Sequence, residues 1–475
     1  MCGPTVPPGK NRNDSFAGAL TNRENVSMTN VQSFLNAQGF SRSQWLIFAT
    51  CFAIVLMDGF DTGAIGFVAP SLLSEWDIQR AALASVLSAA LFGIACGALL
   101  AGPLSDWLGR RGPLIISVAI FGMAALASAF AMDLSQLTAL RFLTGLGLGA
   151  ALPNAVTIMS EFCPDGRRAT LTNLMSCGFP LGTALGGFVA AWLIPHFGWR
   201  SVLLLGGVAP VLLVVWLYFT LPESVRYMVA KGYPSERINA TLARVALKSV
   251  DVGATALRGR ASVASRHEGV MVVLSRAYLL GSVMLWIAFF MGLVIIYGAV
   301  NWMPVLLRGS GLDSSRASLV SALFPLGGVG AALSGVLMDR FNAARVIAVC
   351  YALGAISIYF IGQTVGNIGL LIVTVFAAGV MMNTSQVSMN ALAASFYPTT
   401  GRATGVAWML GIGRFGGVAG SFLVAELSRR NLSFSEIFAV MAIAGLIACA
   451  ALIVMQSSRP VSAIADFGAS KSLVQ

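Results

Sequence analysis

The chain has 475 residues, of which 57% are hydrophobic and 10% charged, and its formal net charge is +11. Soluble domains carry about 25% charged residues, so a soluble globular protein is excluded and the chain reads as a polytopic membrane protein. Seven cysteines, none in C-x-x-C spacing, read as small packing residues and give neither a disulfide framework nor a metal site. The two histidines, His196 and His267, fall in loops, which excludes a histidine proton relay inside the membrane.

Residues 1–44 are polar and rich in Asn, Ser and Gly, with no apolar signal core, and are expected to form an N-terminal tail. Twelve apolar runs follow, each long enough to cross ~30 Å of hydrocarbon as a helix. They are 45–69, 82–103, 113–131, 137–159, 170–193, 201–221, 278–300, 317–338, 344–362, 368–391, 404–426 and 435–455. A hydrophilic stretch, 222–277, separates the six-helix sets 45–221 and 278–455, and 456–475 forms a second tail. Gly93 and Gly97, Gly145 to Gly149, Gly178 to Gly186 and Gly405 to Gly420 mark spans whose backbones approach closely.

Asp58 and Asp61 are the only charges in the first span. A carboxylate at bilayer depth costs about 2.5–3.5 kcal/mol on insertion scales, so two in one span imply a use, commonly the movement of protons or ions. Their spacing of three puts them on one helix face. A helix-to-helix salt bridge is the alternative.

The halves repeat. Arg168-Ala169-Thr170 matches Arg402-Ala403-Thr404, Pro164 matches Pro398, and GPLSD at 102–106 parallels GVLMD at 335–339. Each match sits at an equivalent topological position. Duplicated six-helix halves are a property of secondary transporters, which hold their site near the midplane. The expected fold is therefore all-α, with twelve transmembrane helices in two pseudo-symmetric six-helix bundles. Placing both tails, the 222–277 loop and alternate short loops on one side collects twenty-two Lys and Arg there, counting Arg345 at the very edge of its span, against six on the other side and two deep within spans. The termini are expected in the cytoplasm, and this topology accounts for the net charge without nucleic-acid binding.

Three stretches carry a family resemblance. GPLSDWLGRR at 102–111 resembles the signature loop between helices two and three of the major facilitator superfamily, and RFLTGLG at 141–147 is similar to its fourth-helix motif. Within it, DGFDTGAIGFVAP at 58–70 and GRATGVAWMLGIGRF at 401–415 resemble the aromatic acid:proton symporter family, whose members carry 4-hydroxybenzoate, protocatechuate, benzoate or chlorophenoxyacetate. CGFPLG at 177–182 lacks the adjacent Gly-Pro pair of drug antiporters, which favours symport. The resemblance implies proton-coupled import of an aromatic carboxylate across the bacterial inner membrane. The acid pair is then tied to the proton, and the proton gradient supplies the energy without a cofactor. The partners are substrate, proton and bilayer, and the chain is expected to work as a monomer.

Depth follows from span starts and a rise of ~1.5 Å per residue, which puts Asp58 and Asp61 roughly 20 and 24 Å from the cytoplasmic edge and Arg141 level with them. An arginine at that depth needs an anion, and the two aspartates are the candidates. Burial, a like-charged neighbour and a guanidinium act on such carboxylates in opposed directions; protonation is expected to weaken their hold on Arg141 and permit reorientation. Arg414 lies ~15 Å deep, at the midplane, where no acid is expected beside it. Its planar fork suits the substrate carboxylate. Phe60, Phe67, Phe179, Tyr297, Trp302, Phe324, Trp408 and Phe415 are candidate ring contacts, with Asn301, Asn383 and Gln386 able to bond ring substituents.

At the cytoplasmic face, Asp106, Arg110, Arg111, Glu161, Asp339, Arg340 and Arg402 supply opposed charges, which the resemblance assigns to a latch between the halves in the outward-open state. No G-x-x-x-x-G-K-[ST] phosphate loop, metal cluster or nucleophile elbow occurs, so neither a primary pump nor an enzyme is expected. An aliphatic carboxylate symporter and a non-transporting receptor for aromatic acids are the rival readings.

Overall fold

The computed structural model describes residues 40–245, 266–330, 341–398 and 401–457. Eleven of their helices are long and apolar enough to cross a membrane. In chain order the helices are α1 Arg42–Glu75, α2 Leu83–Leu108, α3 Arg111–Ser128, α4 Leu134–Phe162, α5 Asp165–Ser176, α6 Gly178–Phe197, α7 Arg200–Thr220, α8 Val225–Ala230, α9 Ser235–Val245 and α10 Arg266–Val273. The second half continues with α11 Leu279–Gly309, α12 Ser314–Leu326, α13 Ala343–Gln363, α14 Ile368–Phe396, α15 Arg402–Arg429 and α16 Phe434–Ser457. The expected eighth span, 317–338, is helical through Gly330, and its remainder lies outside the described residues.

Short polar residues set the helix starts. Ser41 and Gln44 form a capping box before α1, while Asp133, Asp313, Asn342 and Asn367 cap α4, α12, α13 and α14. Several helices outrun their apolar cores: α1 continues through Pro70 to Glu75, α11 to Gly309 and α14 to Phe396. Apolar length measures only the hydrocarbon, whereas backbone hydrogen bonding continues into the polar zones. The fifth span, expected as one helix, is broken at Cys177 into α5 and α6. Pro180 has no N–H to give the Ser176 carbonyl four residues back.

The halves are built alike. In the first, α1 packs on α6, α2 on α4 and α3 on both α4 and α7; in the second, α11 packs on α15, α12 on α14 and α13 on both α14 and α16. Glycine makes the closest approaches possible. A Cβ on Gly182 would lie 1.8 Å from the Leu56 carbonyl, and one on Gly420 would lie 2.2 Å from the Val294 carbonyl. Leu212, Phe219, Val373 and Ile453 are at least 60% exposed, an outward apolar face that suits lipid and not water.

Between the halves, α1 meets α11, α2 meets α15 and α6 meets α12. We call the end where α1 and α11 begin the tail end, and the other the far end. The described contacts joining the halves run from the middle to the far end: Pro180 against Gly328, Gly66 against Val300 and Asn301, Pro70 with Arg308, and Ala191 with Ser315.

Candidate functional site

Asp61 lies in the middle of α1 and Arg141 two turns into α4. The carboxylate accepts both arms of the guanidinium, Nη1 to Oδ2 at 3.1 Å and Nη2 to Oδ1 at 3.0 Å. Both side chains are almost wholly buried, at 1% and 0% exposure. Nη2 also donates to Thr144 Oγ1 at 3.3 Å, and that hydroxyl donates to the Leu140 carbonyl at 2.8 Å. Behind the pair, Thr183 donates to the Gly59 carbonyl at 2.8 Å and fastens α6 to α1. The fork-on-fork geometry is the strong form of this ion pair.

Asp58 does not share in it. Successive residues turn by about 100° on a helix, so residues three apart still diverge by roughly 60°, enough to give each acid a different neighbour. Asp58 accepts from Thr62 Oγ1 at 3.3 Å and interacts electrostatically with Arg414 and Tyr297 of the second half. The expectation that both aspartates hold Arg141 is corrected: Asp61 alone does.

Arg414 is mid-helix in α15, half-buried, and its Nη1 donates to the Ile94 carbonyl of α2 at 3.0 Å. The sequence placed no acid at its depth, yet Asp58 lies within its electrostatic reach. Depth counted along backbones omits the length of the arginine side chain, which spans the roughly 5 Å separating the two estimates. Four residues on three helices thus form a charged series, Arg141, Asp61, Asp58, Arg414, with the two acids between the two cations, from inside the first half to the gap between the halves. Tyr297 completes that gap, its ring against Gly417, one turn on from Arg414.

The other candidates separate by place. Phe67 is buried where α1, α6 and α12 meet, close to Gly187 and Ala322. Asn383 donates to the Phe324 carbonyl at 3.3 Å and to the Gly379 carbonyl at 2.8 Å, inside the second half. Gln386 accepts from Tyr351 at 3.0 Å and donates to the Phe289 carbonyl at 3.4 Å. Asn301 donates to Ser421 at 3.0 Å, while its buried Oδ1 and the Trp302 indole N–H have no partner among the described residues. Phe179 is half-buried beside Gly59, and Phe324 is buried against Gly379. Trp408 is half-buried against Trp286, with ring centres 5.8 Å apart. Two candidates are turned away from the gap. Phe60 packs within the first half among Gly182, Gly186 and Gly206, and Phe415 is 53% exposed on the face of α15 opposite α11. Both are apolar residues that sequence alone could not orient.

Of the latch candidates, Asp339 and Arg340 lie outside the described residues, as does the side chain of Asp106. Glu223 accepts the backbone N–H groups of Arg110 at 2.9 Å and Arg111 at 3.2 Å, and Gly109 (φ +92°) turns the chain beneath it. The Arg111 guanidinium donates to the Tyr218 carbonyl and lies over that ring at 5.6 Å. Glu161 accepts from Ser224, and Arg402 is exposed at the start of α15. These contacts staple the α2–α3 loop to the end of α7 in its own half.

Sequence reasoning missed Thr62, Thr144, Glu223 and the Ile94 carbonyl. The threonines had a signal, standing four and three residues after a buried charge. A backbone carbonyl has none. Among the described residues no cluster of three His, Cys, Asp or Glu side chains is poised to hold a metal.

Comparison with known proteins gives the same architecture. The Major Facilitator Superfamily profile matches residues 51–334 and 309–474. A 4-hydroxybenzoate transporter of Pseudomonas aeruginosa is 46% identical over 429 residues, 90% of this chain and 96% of its own. A gallate transporter of Pseudomonas putida is 42% identical over 428 residues, 89% of this chain and 94% of its own. The inward-open xylose transporter of E. coli shares the fold, with a TM-score of 0.70 at 18% identity over 86% of this chain and 95% of that one. Two duplicated helical halves, a charged series at their shared middle and a profile match across most of the sequence place this chain in the Major Facilitator Superfamily, within its aromatic acid transporter branch.

Proposed function

We propose that the protein is a proton-coupled secondary transporter that imports an aromatic carboxylate across the bacterial inner membrane by alternating access. Both termini are cytoplasmic, the tail end is the cytoplasmic end, and a single chain is the working unit. The observation that carries the reading is Arg414, bonded across the gap to the Ile94 carbonyl of the first half with Asp58 within its electrostatic reach. Relatives named for 4-hydroxybenzoate and gallate support a hydroxylated benzoate as the cargo.

In this mechanism Asp58, the acid without a guanidinium fork, takes the proton. Its neutralisation leaves Arg414 short of a counter-anion, and the substrate carboxylate supplies one. Tyr297 and Phe67 contribute ring surface, and Asn383 an orienting amide. Asp61 stays bonded to Arg141 throughout and keeps α1 registered on α4. When Asp58 loses its proton to the cytoplasm, its restored charge competes for Arg414 and expels the substrate. Proton and carboxylate therefore cross together.

The test is uptake of labelled 4-hydroxybenzoate into proteoliposomes under an inward proton gradient, with benzoate, protocatechuate, 2,4-dichlorophenoxyacetate and succinate as competitors. Accumulation should vanish when the gradient is collapsed, and the aromatic acids should compete best. Arg414→Lys should weaken apparent affinity about tenfold or more, since an ammonium cannot form the bidentate fork. Preferential competition by succinate would favour an aliphatic carboxylate symporter, and gradient-independent behaviour throughout would favour a receptor.

A further inference from the structure

The far end holds a second cationic place. A cleft of about 310 Å³ opens there between the halves, walled by Leu73 and Ile78 on one side and Val305 on the other, with Arg80 and Arg308 at its polar edge. Six basic residues face this end, and four of them hold carboxylates. Arg200 pairs with Glu75 at 2.6 Å, Arg316 with Asp313 at 3.1 Å, and Arg429 and Arg430 with Glu426 at 2.7 and 2.8 Å. Arg80 and Arg308, the two lining the cleft, make no ion pair with any described residue. Arg308 Nη1 instead donates to the Pro70 carbonyl at 2.7 Å, crossing from one half to the other. The Arg80 guanidinium lies against Gly309, where a Cβ would stand 2.6 Å from its Nη2.

We propose that this cleft is an outer capture site for an aromatic carboxylate, an inference that rests on the transport reading above. Its volume falls at the lower end of the ~300–1,000 Å³ range of small-molecule sites, and its mix of apolar wall and a few polar groups is typical of them. Two guanidinium groups without carboxylate partners supply the anion recognition, and Leu73, Ile78 and Val305 receive the ring. A carboxylate offers a guanidinium a full opposite charge and two acceptor oxygens, which a neutral carbonyl cannot match. A bound carboxylate therefore draws Arg308 from the Pro70 carbonyl and releases one of the bonds closing the halves at this end. Capture outside is thereby coupled to outward opening.

The test compares initial uptake of labelled 4-hydroxybenzoate by the wild-type chain, Arg80→Gln and Arg316→Gln in proteoliposomes at low and high external salt. The expected result is a wild-type KM that rises with salt, and an Arg80→Gln KM raised roughly fivefold at low salt, with a flat salt response and a retained maximal rate. Arg316→Gln, which removes the same charge from the same face, should keep the wild-type KM. Ser74→Glu, which sets a carboxylate in the cleft, should mimic Arg80→Gln and serves if that variant does not reach the membrane. In a Ser315→Cys chain, external substrate should raise labelling by a membrane-impermeant maleimide, and Arg80→Gln should suppress that rise. Wild-type KM and salt response in both Arg80→Gln and Ser74→Glu, an equal loss in Arg316→Gln, or no substrate effect on labelling would overturn the capture site while the transport reading stands. Absence of aromatic-acid uptake by the wild-type chain would overturn both.

Discussion

At the scale of single residues, two aspartates one turn apart do different work because they point at different cations. Asp61 is locked in a two-pronged bond with Arg141 inside the first half, whereas Asp58 accepts, among the described residues, a threonine hydroxyl alone and interacts electrostatically with Arg414. Removing one partner of a buried ion pair strands the other, at about 3–5 kcal/mol. Asp61→Asn is therefore expected to lower the melting temperature in detergent sharply, with a matching loss of folded protein. Asp58→Asn keeps an acceptor for Thr62 and should fold normally, yet lose gradient-driven accumulation while retaining exchange of substrate across the membrane. Equal melting temperatures for the two variants, or undiminished accumulation by Asp58→Asn, would refute this division of roles.

At the scale of helices, packing rests on bare backbone. Gly182 of α6 sits on the Leu56 carbonyl of α1 so closely that a single methyl group has no room. Overpacking of that kind costs about 1–3 kcal/mol, and here it also displaces the helix carrying both aspartates. Gly182→Val should reduce folded yield and depress uptake even in the protein that folds. Gly411→Ala, on α15 where nothing lies within 4 Å, should be neutral or slightly stabilising, since alanine favours helix by about 1 kcal/mol over glycine. Comparison of the two by size-exclusion profile and melting temperature separates close packing from general helix propensity.

At the scale of the whole molecule, the described hydrogen bonds and closest approaches between the halves run from the middle to the far end, the arrangement of a bundle closed at its far end. Ser315 donates to the Ala191 carbonyl at 2.7 Å across that closure. If the halves separate there in every cycle, a short bifunctional thiol reagent joining Ala191→Cys to Ser315→Cys should arrest uptake, and a cleavable reagent should restore it on reduction. Full transport by the cross-linked protein would show that the far end need not part.

The sequence by itself determined the membrane class, the twelve-span expectation, the duplicated halves and the depth of the buried charges. These follow from hydropathy and residue count, which are additive along a chain: a run of twenty apolar residues must lie in lipid, and a charge inside it must find an answer nearby. The ends were less legible because helices continue past the hydrocarbon, as α1 and α11 do, and the break at Cys177 depended on one absent N–H at Pro180. Only the tertiary structure decided the pairings. Which aspartate takes Arg141, whether Phe60 and Phe415 face the gap, and that Arg414 rests on the Ile94 carbonyl depend on helix rotation and on contacts between halves some 320 residues apart in sequence. A turn of 100° per residue converts a small change in rotation into a different neighbour, and no local pattern in the chain records it.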